Sequence, residues 1–415
     1  MPRKRNYVPL PDREAERYNQ RVDEFTVYLD RQGYTFGTVR TYRLNCRRFA
    51  DFAAKRGIKM SKLDEDAIDG LIQTVLGLHK GSKATYGVYC INRFVDFLIE
   101  VGETPARPKK VDNSKRAVLM REYEAYLREQ RGLAEATVYA CVRYAHGFLT
   151  FKYGTRLGDL KRLKAQDITD YLLSRRKNAK TSKDKTMSTH LRSFFRFLYW
   201  AKHTERNLAN YVPSRRYVGP GRIPRYLPPE DIDKLIEAAR RSTVTGRRNK
   251  AMIMMMARLG LRGPEIVAMK LEDLDWRLGE VLIRGKGRLH DRMPLPHDVG
   301  QAIVDYIKNE RRGPSRHLFV TSKAPFNHFT NSQIVNWILK KTYVETGISP
   351  PQSYIGAHIL RHSLATDLLH NGASLEEISD VLRHRSVSTT SIYAKYDVDA
   401  LRALAPSWPL EESAQ

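Results

Sequence analysis

The sequence predicts a multidomain chain: two all-helical domains built on one duplicated pattern, followed by a mixed, mainly helical α/β domain. Three observations predict it. An aromatic pattern occurs twice in the first half, two basic linkers interrupt helical periodicity, and the texture changes after Pro229. With 415 residues there is room for two or three domains, each burying its own core.

Residues 1–17 read as a basic arm, because Met1-Pro-Arg-Lys-Arg5 is followed by Asn6-Tyr7-Val8-Pro9 rather than by an apolar targeting core. The first helical domain spans 18–101. In it Phe25, Tyr28 and Leu29 precede Gly33, and Thr38, Tyr42, Phe49 and Phe52 follow. The second spans 117–212 and repeats the order: Tyr123, Tyr126 and Leu127 precede Gly132, and Thr137, Cys141, Phe148 and Phe151 follow. Each copy ends on an aromatic helix, with Tyr89, Phe94 and Phe97 in one and Phe194, Phe195, Phe197 and Leu198 in the other. The three-to-four-residue spacing assigns these rings to helix cores rather than to base stacking. Thr38 and Thr137 each precede an apolar-periodic run and are expected as N-caps.

Two linkers separate the domains. Residues 102–116 carry Pro105, Pro108, Lys109, Lys110, Lys115 and Arg116; residues 213–229 carry Arg215, Arg216, Arg222 and Arg225, with Gly219-Pro220-Gly221 resisting helix formation. The second strap suits a DNA backbone, and its four arginines are candidate DNA contacts.

From 230 to 397 the pattern is mixed. Helices are expected over Asp231 to Ala239 and Asn249 to Leu259, and a third starts with Pro264 at its first position, which holds Arg262 at a helix mouth. Val281-Leu282-Ile283 and Met293-Pro294-Leu295 flank a hairpin connection that presents Lys286. A helix over Ala357 to His370 ends at Asn371-Gly372, and Ser374 with Glu377 forms a capping box for the next. Ser388-Thr389-Thr390 then caps a short helix carrying Tyr393 and Tyr396. Residues 398–415 form a tail whose Leu401, Leu404, Ala405, Trp408 and Leu410 cannot make a core alone and are expected to dock on a protein surface, of the same subunit or of a neighbour.

Charge narrows the partners. Lys and Arg number 72 against 46 Asp and Glu, a formal charge of +26 with a pI near 9.9, and nucleic acid is the simplest partner for that field. The longest apolar run, Ala251 to Ala257, is too short for a bilayer span. A cytoplasmic location without a membrane is therefore expected. Cys46, Cys90 and Cys141 lack metal-ligand spacing and read as reduced core residues.

Leu259-Gly260-Leu261-Arg262-Gly263-Pro264-Glu265-Ile266 resembles the first signature of the tyrosine recombinases, the phage integrase family. Ile283-Arg284-Gly285-Lys286-Gly287 resembles the family's hairpin motif, and Ala357-His358-Ile359-Leu360-Arg361-His362-Ser363-Leu364-Ala365-Thr366 its His-x-x-Arg signature. His384 matches the later His or Trp position, and Tyr393, nine residues on, the nucleophile. The resemblance thus implies Arg262, Lys286, His358, Arg361, His384 and Tyr393 as catalytic residues. It also implies a core-binding domain at 117–212, a second domain of that type at 18–101, and a catalytic domain at 230–397. Double-stranded DNA sites are the implied substrate, a tetramer the synaptic assembly, and the tail the segment exchanged between subunits; the extra N-terminal domain points to a transposon or mobile-element enzyme. Two positions depart from the pattern. The usual glycine before His384 is Arg383, and Arg288-Leu289-His290-Asp291-Arg292 continues the hairpin turn.

Elementary chemistry explains the same set. Attack of a phenol oxygen on a phosphodiester builds charge on the equatorial oxygens, which two guanidinium forks, Arg262 and Arg361, would hold. Lys286 would protonate the leaving 5′-oxygen. His358 is the candidate base and His384 the candidate phosphate hydrogen-bond donor, and sequence alone could exchange those duties. Storing the bond energy as a phosphotyrosine, with a 3′ linkage implied by the family, needs neither ATP nor metal, so no cofactor is expected. Tyr393 and Tyr396 lie three apart on one expected helix, and periodicity does not choose between them; the family spacing selects Tyr393.

Other readings fit less well. His358 and His362 have the i, i+4 spacing of zinc ligands, but Ile359 stands where a metalloprotease needs Glu. Gly285-Lys286-Gly287 lacks the pattern of a nucleotide-binding loop. The alternative functions are a non-cutting DNA-binding architectural or regulatory protein, and a type IB topoisomerase-like relaxing enzyme.

Overall fold

The computed structural model describes residues 9–77, 86–106, 112–176, 183–213, 226–241, 244–285, 290–350 and 356–384. The chain divides into two compact units, residues 1–107 with 221–415, and residues 108–220.

The first unit opens with a helical bundle: α1 (Asp12–Arg31), α2 (Phe36–Lys55), a 3-10 turn (Met60–Lys62), α3 (Glu65–Val75) and α4 (Tyr86–Glu100). On α1, Tyr18, Val22, Phe25 and Leu29 recur at helical spacing and are all buried. Phe25 meets the rings of Phe94 and Phe97 from α4, each at 5.3 Å between centroids. Tyr42, Cys46 and Phe49 of α2 complete this core. The Asp64 carboxylate accepts the Ala67 N–H at 2.8 Å and so starts α3.

The second unit is a bundle of α5 (Lys115–Ala125), α6 (Glu135–Tyr153), a 3-10 turn (Leu160–Arg162), α7 (Ala165–Arg176) and α8 (Lys183–Trp200). A π turn (Tyr126–Gln130) follows α5 directly. Tyr123 lies 5.1 Å from Phe194 and 4.9 Å from Phe197, ring to ring, and Leu127, Cys141 and Phe148 pack into the same core. Ser114 caps α5, so that helix takes in Lys115 and Arg116, which the proline-rich composition had assigned to the linker. All three cysteines are free and buried, as expected.

The expected caps are corrected. The N-cap of α2 is Thr35 and that of α6 is Ala134, which puts Thr38 and Thr137 inside the first turn. The Thr38 hydroxyl instead meets that of Thr35 at 2.9 Å. Apolar periodicity starts late here because the first helical residues, Phe36-Gly37 and Glu135-Ala136, face outward and bury nothing.

The remainder of the first unit holds α9 (Pro229–Arg240), α10 (Gly246–Leu259), α11 (Gly263–Ala268), β1 (Leu274–Asp275), β2 (Glu280–Arg284), β3 (His290–Pro294), α12 (His297–Asn309), α13 (Gln333–Thr346), α14 (His358–His370) and α15 (Leu375–Val381). The run Ala251 to Ala257 is buried on every side of α10, making it the central helix against which α9, α12, α13 and α14 pack. Among the described residues no helix is long and apolar enough to cross a membrane. The strands form one antiparallel sheet in the order β1, β2, β3, with Val281 opposite Met293 and Arg284 opposite His290. Only Val281 and Ile283 of β2 are fully buried, the two-residue period of a sheet with one face on the core. Pro264 is the second helical residue of α11 rather than the first, and Gly263 precedes it. Either position is free of an intrahelical N–H requirement, so the expectation of a helix opening here holds. The Ser374 and Glu377 capping box closes reciprocally, at 3.2 and 2.8 Å.

Lys286, the strap arginines Arg215, Arg216, Arg222 and Arg225, the short helix expected to carry Tyr393 and Tyr396, and the tail lie outside the described residues.

Candidate active site

Helix α10 ends at Gly260, whose φ of +61° is left-handed. A Cβ at this position would come within 2.8 Å of the Leu382 side chain and 3.1 Å of Leu364, so the turn requires glycine for backbone and for space. That turn delivers Arg262 as the N-cap residue of α11. One turn into the helix, Glu265 reaches back: its Oε2 accepts the Arg262 backbone N–H and its Oε1 accepts Arg262 Nη1, both at 2.8 Å. Arg262 stays 36% accessible while Glu265 is 6% accessible. The carboxylate thus holds the Arg262 backbone and one terminal nitrogen, and the guanidinium stays partly open to solvent.

Arg361, on the first turn of α14, is buried. Its Nη1 donates to the Gly260 carbonyl and its Nη2 to the Leu382 carbonyl. One guanidinium therefore ties the turn that carries Arg262 to the end of α15, two residues before His384. The stitch explains how groups from three separate segments come to one place.

Electrostatics register the gathering. His358, the first residue of α14, has its pKa lowered by desolvation and then by the charges of Arg361 and Arg262. His384 is held down to about 4 by burial, by Arg361 and Arg262, and by His362 and Arg383. His362, one turn beyond His358 with ring centroids 6.5 Å apart, is also lowered to about 4, by burial, His358 and Arg361. Both half-buried rings are neutral near pH 7. Because their folded pKa values lie below the ordinary 6.5, the stability they confer is full above that pH and is lost as pH falls from 6.5 toward 4. A bound phosphate would offset the arginine charges and raise these pKa values. The melting temperature is therefore expected to fall on acidification through this window, less steeply with duplex bound or in His384→Asn. Thermal unfolding across pH checks it, and an unchanged slope in both cases would refute it.

Of the six catalytic candidates, Arg262, His358, Arg361 and His384 are among the described residues and share this site. Strand β2 is braced at its loop end, where Arg284 pairs with the fully buried Asp273. Glu265 and His362 were missed as site residues by sequence reasoning, although both lie within the quoted motifs. Glu265 stands three residues after Arg262 at a helix start, the spacing of a reciprocal cap, and that signal could have found it; its neighbours across the site are not visible in the sequence. Among the described residues no cluster of three or more His, Cys, Asp or Glu is arranged to hold a metal ion.

The model of the Phage integrase family matches residues 225–399, and that of the Phage integrase, N-terminal SAM-like domain matches 120–202. The integrase/recombinase y4rA of Sinorhizobium fredii is 35% identical over 93% of this chain and 93% of its own length. This chain belongs to the phage integrase family. The tyrosine recombinase XerD of Listeria monocytogenes is 30% identical over 66% of the chain and 93% of that protein. Among solved structures, a lambda integrase dimer bound to a COC′ core site aligns with a TM-score of 0.51 at 17% identity, over 72% of this chain and 99% of that one. This last likeness shows the fold, a mostly helical tyrosine recombinase with a SAM-like domain ahead of the catalytic domain. The family member described here is a DNA breaking and rejoining enzyme, a site-specific recombinase that works through a tyrosine.

Proposed function

We propose that this recombinase cleaves double-stranded recombination sites with Tyr393 as nucleophile, leaving a 3′-phosphotyrosine and a free 5′-hydroxyl. Arg262 and Arg361 hold the equatorial phosphate oxygens, Lys286 protonates the leaving 5′-oxygen, and His358 and His384 supply the base and the remaining phosphate hydrogen bond. The observation that carries this reading is the Arg361 clasp, which links the Gly260 turn to the Leu382 carbonyl and so draws Arg262 and His384 toward one phosphate-sized target. Atoms balance without a cofactor: the phenol loses a proton as its oxygen bonds phosphorus, and the 5′-oxygen gains one as it leaves. The test is a nicked suicide duplex incubated in EDTA. A covalent adduct is expected; its absence under conditions of sequence-specific binding would favour a non-cutting regulator. Exchange between two labelled duplexes separates recombination from topoisomerase-like relaxation.

Residues 18–101 and 117–212 are, in this reading, duplicated core-binding domains. Their helices follow one order. Buried Phe94, Phe97 and Leu98 correspond to Phe194, Phe197 and Leu198 at a constant separation of 100 residues. Thr104 and Thr204 each send an N–H to the matching leucine carbonyl, Leu98 and Leu198, at 3.2 Å. The charges differ: 13 basic and 10 acidic residues in the first copy, 19 and 9 in the second. The second copy therefore supplies most of the phosphate contacts, assisted by Arg215, Arg216, Arg222 and Arg225 of the strap. Removing residues 1–110 is expected to weaken site binding, to lower the salt dependence by only about one to three phosphate contacts, and to preserve cleavage. Binding isotherms at several salt concentrations, with adduct trapping, check this; lost cleavage in a folded fragment would reject the division of labour. The tail, 398–415, is assigned to exchange between subunits of a synaptic tetramer.

A further inference from the structure

Arg383 occupies the place where the family resemblance calls for glycine, and its backbone shows why glycine fits: φ is +52°, the left-handed region that a side chain disfavours. An arginine kept there must be held by something else. Its side chain is 9% accessible, and Nη2 reaches Glu265 Oε2 at 3.2 Å. Nη1 lies 3.3 Å from the Val381 carbonyl and 2.8 Å from Met293 Sδ. The same Glu265 Oε2 accepts the Arg262 backbone N–H, while Oε1 takes Arg262 Nη1. One buried carboxylate is thus shared between two guanidinium groups from distant parts of the chain.

We propose that Arg383 is a positioning residue, which by holding Glu265 fixes Arg262 with its outer N–H groups turned toward the phosphate. Without Arg383 the Glu265 carboxylate keeps only its contacts to Arg262, and it can turn to accept a two-pronged fork from that guanidinium, drawing the cation away from the transition state. Site charge changes in the same direction. Arg262, Arg361 and Arg383 against Glu265 leave a net two positive charges, and loss of Arg383 leaves one. The segment Leu382 to His384 is thereby pinned twice, by Arg361 through the Leu382 carbonyl and by Arg383 through Glu265.

This inference rests on the reading that Arg262 holds the scissile phosphate, and the substitutions separate the two. Arg383→Gly suits the left-handed backbone but loses the ion pair, Arg383→Met keeps bulk against Met293 without charge, and Arg383→Lys keeps a cation. With the full-length protein and saturating suicide duplex, Gly and Met variants are expected to form adduct about 10- to 100-fold more slowly, the worth of one charge-assisted hydrogen bond. DNA affinity of the folded protein stays close to the parent, the melting temperature falls as one buried ion pair is lost while the protein remains folded at the assay temperature, and Lys recovers a substantial part of the rate. The acid limb of the pH–rate profile moves to higher pH in Arg383→Met, because one of the cations that depress His384 is gone. Parent-like rates in Gly and Met overturn the proposal. So does a Lys variant as slow as Met, or a rate loss that tracks lost folding, since each makes the side chain merely structural. A parent that forms no adduct removes the phosphate reading, and this inference with it.

Discussion

Tyr393→Phe is expected to abolish the covalent protein–DNA adduct, while Tyr396→Phe still forms it. The substitution deletes one oxygen, so fold and DNA binding persist, and the reaction loses its only route to a phosphotyrosine. Both tyrosines lie outside the described residues, and three-residue spacing gives both rings similar directions on a helix. The choice rests on the nine-residue step from His384 to Tyr393, which matches the family arrangement. His384 is itself tethered, because the Leu382 carbonyl two residues before it is held by Arg361. Peptide mapping of trapped DNA by mass spectrometry decides the matter. A phosphopeptide modified at Tyr396 would overturn the assignment.

The two arginines should separate when each is changed to alanine. Arg361→Ala is expected to remove detectable adduct and also to destabilise the protein by about 2–4 kcal/mol, because a buried guanidinium is lost and the Gly260 and Leu382 carbonyls lose their donor. Arg262→Ala should lower the cleavage rate by about 10²- to 10³-fold, as loss of a transition-state donor does. It should cost less stability, since Arg262 is 36% accessible and Glu265 retains Arg383. Arg361→Lys cannot rescue cleavage, because one ammonium cannot span two carbonyls and a phosphate. Thermal melts and single-turnover cleavage measured together check the pair. Equal stability losses in the two alanine variants, or wild-type cleavage in either, would refute the division between a buried clasp and an open phosphate donor.

The sequence by itself determined the parts of this protein whose physics is local. Helix cores at Phe25 and Leu29, or at Phe194 and Leu198, are legible because burial follows a 3.6-residue period. The hairpin from Glu280 to Pro294 is legible because two short apolar runs, Val281-Leu282-Ile283 and Met293-Pro294-Leu295, flank a polar connection with Gly285 and Gly287. The capping box at Ser374 needs only residues three apart, and the motif residues Arg262, His358, Arg361 and His384 are recognisable from type and spacing. Helix starts were less legible: Thr38 and Thr137 looked like caps because the first turn faces outward, Phe36 included, and the buried period begins only after it. What only the tertiary structure decided are contacts between groups far apart in the chain. Arg361 meets Gly260 across 101 positions, and Arg383 meets Glu265 across 118. No local period encodes such pairs. An arginine in place of glycine reads along the chain as a departure from a motif, and only folding, which brings a buried carboxylate within 3.2 Å of it, turns that departure into a second hold on the carboxylate that binds Arg262.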